Sequence, residues 1–319
     1  MQSRLIPISL TYDNETLQDG VGAQVLREVA IKAISLQFKL GYLHSGIKQI
    51  IVTQLDIAQT TEQIARYVEY VNSVFNLPSD GVTSFDEIYS IYDLSRRKLA
   101  KYYLRSLFLR RSILLKIVVP YDITNKMPWI LSKAKNFLPE IRKSNIKVVD
   151  DKFKIVIHFR QGTNPAHIDP GKIEPRFIPM EYFEKLVFRA IEQNPGRSFD
   201  ICLLTDAPPE EMMYKPPASQ IKAWEDAGYE IIDGMVKVQP LAIKESQLRS
   251  LPQLRIIHGG DVMQALEEMQ SADLLFMSRS TLSILGGLLN KSGKAIFPAR
   301  LNIIPLKEWI SGEDYLGNI

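Results

Sequence analysis

Three short segments in the second half of the chain carry side chains able to grip an anionic ligand. His158 and Arg160 stand two residues apart, Thr205 and Asp206 are adjacent, and Ser278, Ser280 and Thr281 crowd into four positions. An arginine guanidinium can hold a phosphate through two parallel hydrogen bonds. An aspartate accepts hydrogen bonds from a base or a ribose. Hydroxyls and free backbone N–H groups at the start of a helix favour an anion. Together these groups describe a nucleotide-diphosphate site. Each has an ordinary alternative: Arg160 as the partner of a carboxylate, Asp206 as a turn residue, Ser280 or Thr281 as a helix cap.

The elements needed to present these residues can be read from hydrophobic pattern. Lys154-Ile155-Val156-Ile157-His158-Phe159-Arg160 begins as a short, β-branched apolar run, the signature of a buried parallel strand. Strands are likewise predicted over 198–205, 230–232, 255–258, 273–277 and 294–297, the last of these closing the series. Helices are predicted over 180–193, 220–227, 262–270, with Asp261 as cap, and from Ser278 through Leu289. Alternating strands and helices imply parallel sheets covered by helices, and such folds bind ligands outside the carboxyl ends of their strands. The segment 161–178, with Pro165, Pro170, Gly171 and Pro175, reads as a long functional loop.

The first half reads less cleanly. A strand is expected over 4–10, followed by Asp19-Gly20-Val21-Gly22-Ala23-Gln24 and a helix from Val25. Gly20 and Gly22 could adopt backbone angles closed to other residues and let a ligand approach the main chain; an ordinary strand–helix turn is the alternative. Further elements are a strand over 49–53, a helix over 62–74, one long helix over 95–116, a short strand over 117–120 and a helix over 128–143. Arg96, Arg97, Lys98, Lys101, Arg105, Arg110 and Arg111 give the long helix a basic face, suited to an acidic acceptor, an anionic membrane surface or simply solvent.

With 319 residues the chain suits two domains, 1–150 and 151–319. It is 45% hydrophobic and 24% charged, which is typical of a globular protein. The net charge of +3 does not suggest a nucleic-acid partner. Cys202 is the single cysteine, which excludes an intramolecular disulfide or a cysteine-based metal site and fits a reducing, cytoplasmic setting. There is no signal-peptide core and no apolar run long enough to span a membrane, although peripheral contact with one stays open. His-Glu-x-x-His, Gly-x-Ser-x-Gly and Gly-x-x-x-x-Gly-Lys-Ser/Thr are absent, which argues against a zinc protease, a serine hydrolase and a P-loop NTPase. No Asp-x-Asp pair is available to hold a divalent ion against a diphosphate.

Four motifs, in order, resemble the fucosyltransferase superfamily. Gly20-Val21-Gly22-Ala23-Gln24 is similar to its Gly-x-Gly-x-Gln turn, and His158-Phe159-Arg160-Gln161-Gly162 to its His-x-Arg-x motif. Leu204-Thr205-Asp206 resembles its strand-end Thr-Asp. Ala265 to Leu289 resembles its helix, strand and Ser-x-Ser-Thr-x-Ser segment. The order matches the α1,2-, α1,6- and protein O-fucosyltransferase branches. The resemblance implies a GT-B architecture, α/β with two Rossmann-like domains and a cleft between them. It also implies inverting, metal-independent transfer of a sugar, fucose by analogy, from a GDP-sugar to a glycan acceptor, with no cofactor. Arg160 would then stabilise the departing β-phosphate, His158 position the donor and Asp206 meet the guanine. Ser280 and Thr281 would contact the diphosphate, and Gly20, Gly22 and Gln24 would serve the donor from the first domain. Three positions depart from the family pattern: Thr163 stands where related motifs carry Asp, and Ile284-Leu285 replaces an aromatic pair.

An acceptor hydroxyl needs a carboxylate or imidazole within hydrogen-bond reach. Asp169 is the preferred base, with His167, Glu174, Asp13 and Asp19 as alternatives. A non-catalytic glycan- or nucleotide-binding protein on the same fold, or an enzyme of another phosphorylated ligand, would share many of these features. Retention of His158, Arg160, Asp206 and Ser280 together favours the transferase, since a pure glycan binder needs no diphosphate grip.

Overall fold

The computed structural model describes residues 8–15, 19–50, 61–80, 84–119, 129–138, 152–160, 178–215, 218, 221–226, 229–238, 241–259, 261–290, 293–299 and 305–317. The protein is α/β and divides into two compact units. The first holds the described residues up to Leu138 together with Pro305 and Leu306; the second holds those from Lys152 onward apart from that pair.

In the first unit the order is β1 (Ile8–Tyr12), α1 (Val21–Phe38), β2 (Gly41–Tyr42), α2 (Thr61–Val74), β3 (Glu87–Asp93), α3 (Arg96–Leu109), β4 (Ile113–Val119) and α4 (Trp129–Phe137). The four strands form one parallel sheet in the order β2-β1-β4-β3. Every residue of β1 is buried, Ser9 and Thr11 included, as befits a central strand of a parallel sheet. Helix α1 is buried from Val21 through Ser35, including Arg27, Glu28 and Lys32. Those charges survive burial because each has a partner: Arg27 Nη2 lies 2.5 Å from Asp19, Glu28 lies 2.8 Å from His44 Nδ1, and Lys32 donates to the Pro78 carbonyl.

Three sequence expectations change here. The long helix over 95–116 stops at Leu109, where Arg110 turns left-handed (φ 53°) and returns its N–H to the Ser106 carbonyl. The run Ile113-Leu114-Leu115 that could continue a helix instead opens β4, in register with Ile8-Ser9-Leu10. Gln49 and Ile50 lie outside any strand; the rest of the strand expected there, and the expected domain boundary, fall outside the described residues. Edge strand β3 had no clear signal, because Glu87-Ile88-Tyr89-Ser90 places Ile88 and Ser90 on the exposed face and Glu87 and Tyr89 on the other, without the apolar–polar alternation that marks a half-buried strand.

The second unit contains β5 (Phe153–Phe159), α5 (Met180–Gln193), β6 (Phe199–Thr205), β7 (Met212–Tyr214), α6 (Ile221–Asp226), β8 (Ile231–Ile232) and β9 (Met235–Val238). These are followed by α7 (Leu241–Lys244), β10 (Leu254–His258), α8 (Val262–Gln270), β11 (Leu274–Phe276), α9 (Thr281–Leu289), β12 (Lys294–Phe297), β13 (Ile310–Ser311) and α10 (Gly312–Leu316). Six strands make an all-parallel sheet in the order β10-β6-β5-β11-β12-β13. Numbered among themselves along the chain, these strands run 3-2-1-4-5-6, the arrangement of doubly wound nucleotide-binding sheets. The expectation that 294–297 is the last strand is corrected by β13, which pairs Ile310 with Ile296. The small sheet β7-β9-β8 is antiparallel and inserted between β6 and β10.

One face of the large sheet is sealed by α5. Ile155, Ile157 and Phe159 pack with Phe183, Leu186 and Val187, and the rings of Phe159 and Phe183 meet edge to face at 5.9 Å. At the amino ends of the strands, Arg255 bridges Asp200 and the buried Glu268, which also receives Lys154. Burial pushes the Cys202 thiol up to about 12, so this cysteine is a core residue and not a nucleophile. No described helix is long and apolar enough to cross a membrane.

Candidate functional site: a switch point in the second sheet

The chain order of the sheet reverses between β5 and β11. One runs on to neighbours on one side and the other to neighbours on the opposite side, the arrangement in which doubly wound sheets hold their ligands beyond the carboxyl ends. His158 is the penultimate residue of β5 and Arg160 follows its last. Ser278 lies two residues beyond β11, and α9 starts at Thr281. The side chains predicted to bind an anion therefore flank the switch point.

His158 is buried at its base. Its Nδ1 lies 2.5 Å from Ser283 Oγ and 3.1 Å from Ser278 Oγ. Ser283 Oγ accepts the backbone N–H of Ser278 at 2.9 Å. The Ser283 hydroxyl can therefore pass its own proton to Nδ1, which leaves the ring proton on Nε2. Burial, and then the positive charge of Arg160, pushes the His158 imidazole down to about 3, so the ring is neutral at ordinary pH. His158 acts as a fixed hydrogen-bonding strut and not as a charge.

Arg160 sits at the mouth. Its Nη1 is 3.5 Å from Ser280 Oγ, and its Nε is 3.6 Å from Asp206 Oδ2 with no hydrogen-bond partner among the described residues. Both contacts are long, so most of the guanidinium's donor capacity is unspent. Asp206 follows β6, whose last residue, Thr205, fastens the turn by accepting the Ala207 N–H at 3.0 Å. Ser280 caps α9, its hydroxyl accepting from Leu282 N, and Thr281 opens the helix. The structure thus joins three separate strand ends: Arg160 after β5, Asp206 after β6, and Ser280 after β11.

Three neighbours were not singled out from sequence. Ser283 closes the Ser-x-Ser-Thr-x-Ser segment; its position three residues after the cap turns it back toward β11, a signal present in the motif. His258, at the end of β10, has Nδ1 3.1 Å from the Ala207 carbonyl, which pins the loop that carries Asp206. Tyr229 lies in the same neighbourhood: burial, followed by the Asp206 charge, raises its phenol.

The residues assigned to the first unit behave differently. Gly20 has φ −66°, and Gly22 is not among the positive-φ glycines, so the expectation of unusual backbone angles is not met. A Cβ on Gly20 would meet nothing within 4 Å. Gln24 is fully buried, and its Nε2 donates to the carbonyls of Asp19 (2.7 Å) and Gln49 (2.6 Å). It ties the turn before α1 to the loop after β2. Of the alternative bases, Asp19 is held by Arg27 and Asp13 is buried, accepting from Glu15 N. Asp169, His167, Glu174 and Thr163 lie outside the described residues. Among those described, no cluster of His, Cys, Asp and Glu is placed to hold a metal ion.

No known protein-family profile matches the chain. No curated protein sequence matches it either. Solved structures do. The chain is similar to the E. coli ADP-heptose lps heptosyltransferase II, at 10% identity over 98% of this chain and 94% of that one, with a TM-score of 0.38. It is similar to the fucosyltransferase NodZ from Bradyrhizobium, at 7% identity over 89% and 92%, with a TM-score of 0.39. It is also similar to S. aureus MnaA in its UDP co-structure, at 11% identity over 91% and 79%, with a TM-score of 0.33.

Proposed function

We propose that the protein is a glycosyltransferase of the GT-B kind that draws its sugar from a nucleoside-diphosphate donor held at the switch point of the second unit. The carrying observation is the placement of Arg160, with its donors largely unspent, beside the capped start of α9. A departing diphosphate develops negative charge, and a fixed guanidinium with a helix N-terminus supplies compensation without reorganising. In the reaction the acceptor hydroxyl oxygen attacks the anomeric carbon and the bond from that carbon to the β-phosphate oxygen breaks. The configuration inverts and the nucleoside diphosphate leaves. The hydroxyl proton passes to a carboxylate or imidazole, for which Asp169 remains the proposed group.

His158, neutral and clamped by Ser278 and Ser283, offers Nε2–H as an orienting donor beside Arg160. Asp206 is suited to a ribose or base edge. The guanine base, the fucosyl group, the glycan acceptor and independence from metal follow from the fucosyltransferase resemblance and are part of the proposal. The absence of an Asp-x-Asp pair supports the last of these.

The test is calorimetric titration with GDP, UDP and ADP in the presence of EDTA. Selective GDP binding that Arg160→Ala abolishes is the expected result and justifies assaying GDP-sugars. Preference for UDP or ADP keeps the transferase and discards a GDP-sugar donor. Binding that appears only when magnesium replaces EDTA removes metal independence. No binding of any nucleotide under either condition overturns the reading.

A further inference from the structure

We propose that the outward face of α3, in the first unit, docks the protein onto an anionic lipid bilayer. The inner face of this helix is occupied: Leu99 and Ser106 are buried, and the Tyr102 ring meets that of Tyr89 on β3 at 4.9 Å. Three nearby cations are already paired. Lys98 pairs with Asp93, and Arg105 and Arg111 both reach Glu87. The outer face is open. Arg97, Lys101, Leu104 and Phe108 follow one another at i, i+4, i+7 and i+11, a single stripe along the helix. Phe108 is 82% exposed and Leu104 53%, with Leu107 beside them at 51%.

The chemistry of this stripe selects its partner. Apolar side chains held in water at the carboxyl half of the helix can enter the acyl boundary, while Arg97, Lys101 and, just past the helix end, Arg110 meet headgroup phosphates. Arg97, Lys101 and Arg110 make no hydrogen bond or ion pair among the described residues, so their charge is available. No acidic residue occurs between Asp93 and Asp122, so nothing along this stretch repels an anionic surface. A second copy of the chain is a poor occupant: a two-fold contact through the stripe brings like-charged faces together, with no carboxylate on the helix to answer Arg97 and Lys101. A nucleic acid would use the cations but leave Leu104, Leu107 and Phe108 in water. This inference does not rest on the transferase reading.

The test is co-sedimentation of the full chain with vesicles of phosphatidylcholine alone and of phosphatidylcholine mixed with phosphatidylglycerol. Binding is expected to the mixed vesicles only, and to weaken as salt rises. Arg97→Glu/Lys101→Glu is expected to lower partitioning by about fivefold or more per cation removed. Phe108→Asp is expected to lower it comparably, and both variants to keep the parent melting temperature because the altered side chains are exposed. Failure to bind the mixed vesicles overturns the proposal, as does binding that both variants retain. Equal binding to neutral vesicles also overturns it. Light scattering that shows a dimer lost in Phe108→Asp, without vesicle binding, assigns the face to self-association instead. Tighter binding to an RNA oligonucleotide than to the mixed vesicles likewise rejects a lipid partner.

Discussion

His158 and Ser283 lie 125 residues apart in the chain, yet His158 Nδ1 and Ser283 Oγ meet at 2.5 Å, bridging the end of β5 and the first turn of α9. This contact spans the point where the sheet order reverses. It makes the geometry of the anion site depend on an uncharged imidazole.

That dependence has a pH signature. The folded-state value of His158 is about 3 against an ordinary 6.5, so the unfolded chain binds the proton first as pH falls. Stability from this group is fully present above about 6.5 and declines toward about 3, at up to about 1.4 kcal/mol per pH unit. Urea denaturation across that range should show the decline, and His158→Gln should flatten it relative to the parent. A parallel slope in the variant contradicts the assignment.

Arg160→Ala should leave the melting temperature almost unchanged, because its present contacts are long. Nucleotide-diphosphate affinity or turnover should fall by about two orders of magnitude, corresponding to ~3 kcal/mol for one preorganised charge contact. Arg160→Lys should recover only part of this, since an ammonium lacks the planar fork. Titration and steady-state kinetics on the two variants separate these outcomes.

At the opposite end of the sheet, Glu268 is 3% exposed and serves both Arg255 and Lys154. Glu268→Ala leaves Lys154 without its ion pair and Arg255 with Asp200 alone. A fully buried pair loses about 3–5 kcal/mol on such a change; Arg255 is 40% exposed, so about 2 kcal/mol is expected here. Equilibrium unfolding at neutral pH measures it, and nucleotide binding by the folded fraction should be unaffected.

Helix α9 is seated on α8 through Gly286. A Cβ there would lie 2.2 Å from Met269 Sδ and 2.9 Å from Met269 Cβ. The sulfur can swing away but the β-carbon cannot, so Gly286→Ala should destabilise by about 1–3 kcal/mol despite alanine's better helix propensity. Met269→Ala keeps the β-carbon and should leave that cost in place, whereas in a Met269→Gly background the added cost of Gly286→Ala should shrink, read as a double-mutant cycle by chemical denaturation.

Gln24→Ala provides a contrast. It removes two buried donations, to Asp19 O and Gln49 O, and should cost about 1–3 kcal/mol. Nucleotide affinity should stay near the parent value if the glutamine only ties its loops. A loss of affinity without loss of stability would instead support the donor-side role carried by the family resemblance.

Much of the second unit could be read without a structure. The runs at 153–159, 199–205 and 274–276 are apolar enough to be read as buried strands, the first with the β-branched core Ile155-Val156-Ile157, and α5 and α8 show clear helical spacing. Hence Arg160, Asp206 and Ser280 could be placed at strand ends from pattern alone. The first unit was less legible. The apolar run at Ile113-Leu114-Leu115 fits a helix or a strand equally by periodicity. Only pairing with Ile8-Ser9-Leu10 decides for β4, and only the left-handed turn at Arg110 ends α3. The two-residue β2 has no sequence signal; its membership is conferred by hydrogen bonding to β1.

Residue chemistry was thus fixed by the sequence itself: a guanidinium, a carboxylate and two hydroxyls, each next to the end of a strand, and a basic helix without an acid. Local patterns specify those features, because burial periodicity and caps act over a few residues. Tertiary structure alone decided which strand ends are neighbours, since strand order depends on crossovers between distant segments. It decided that His158 is neutral, because burial sets that and burial is a property of the assembled core. It also separated the cations of α3 and its C-terminal turn into a set paired with Glu87 and Asp93 and a set left beside Phe108, a division that sequence order does not encode.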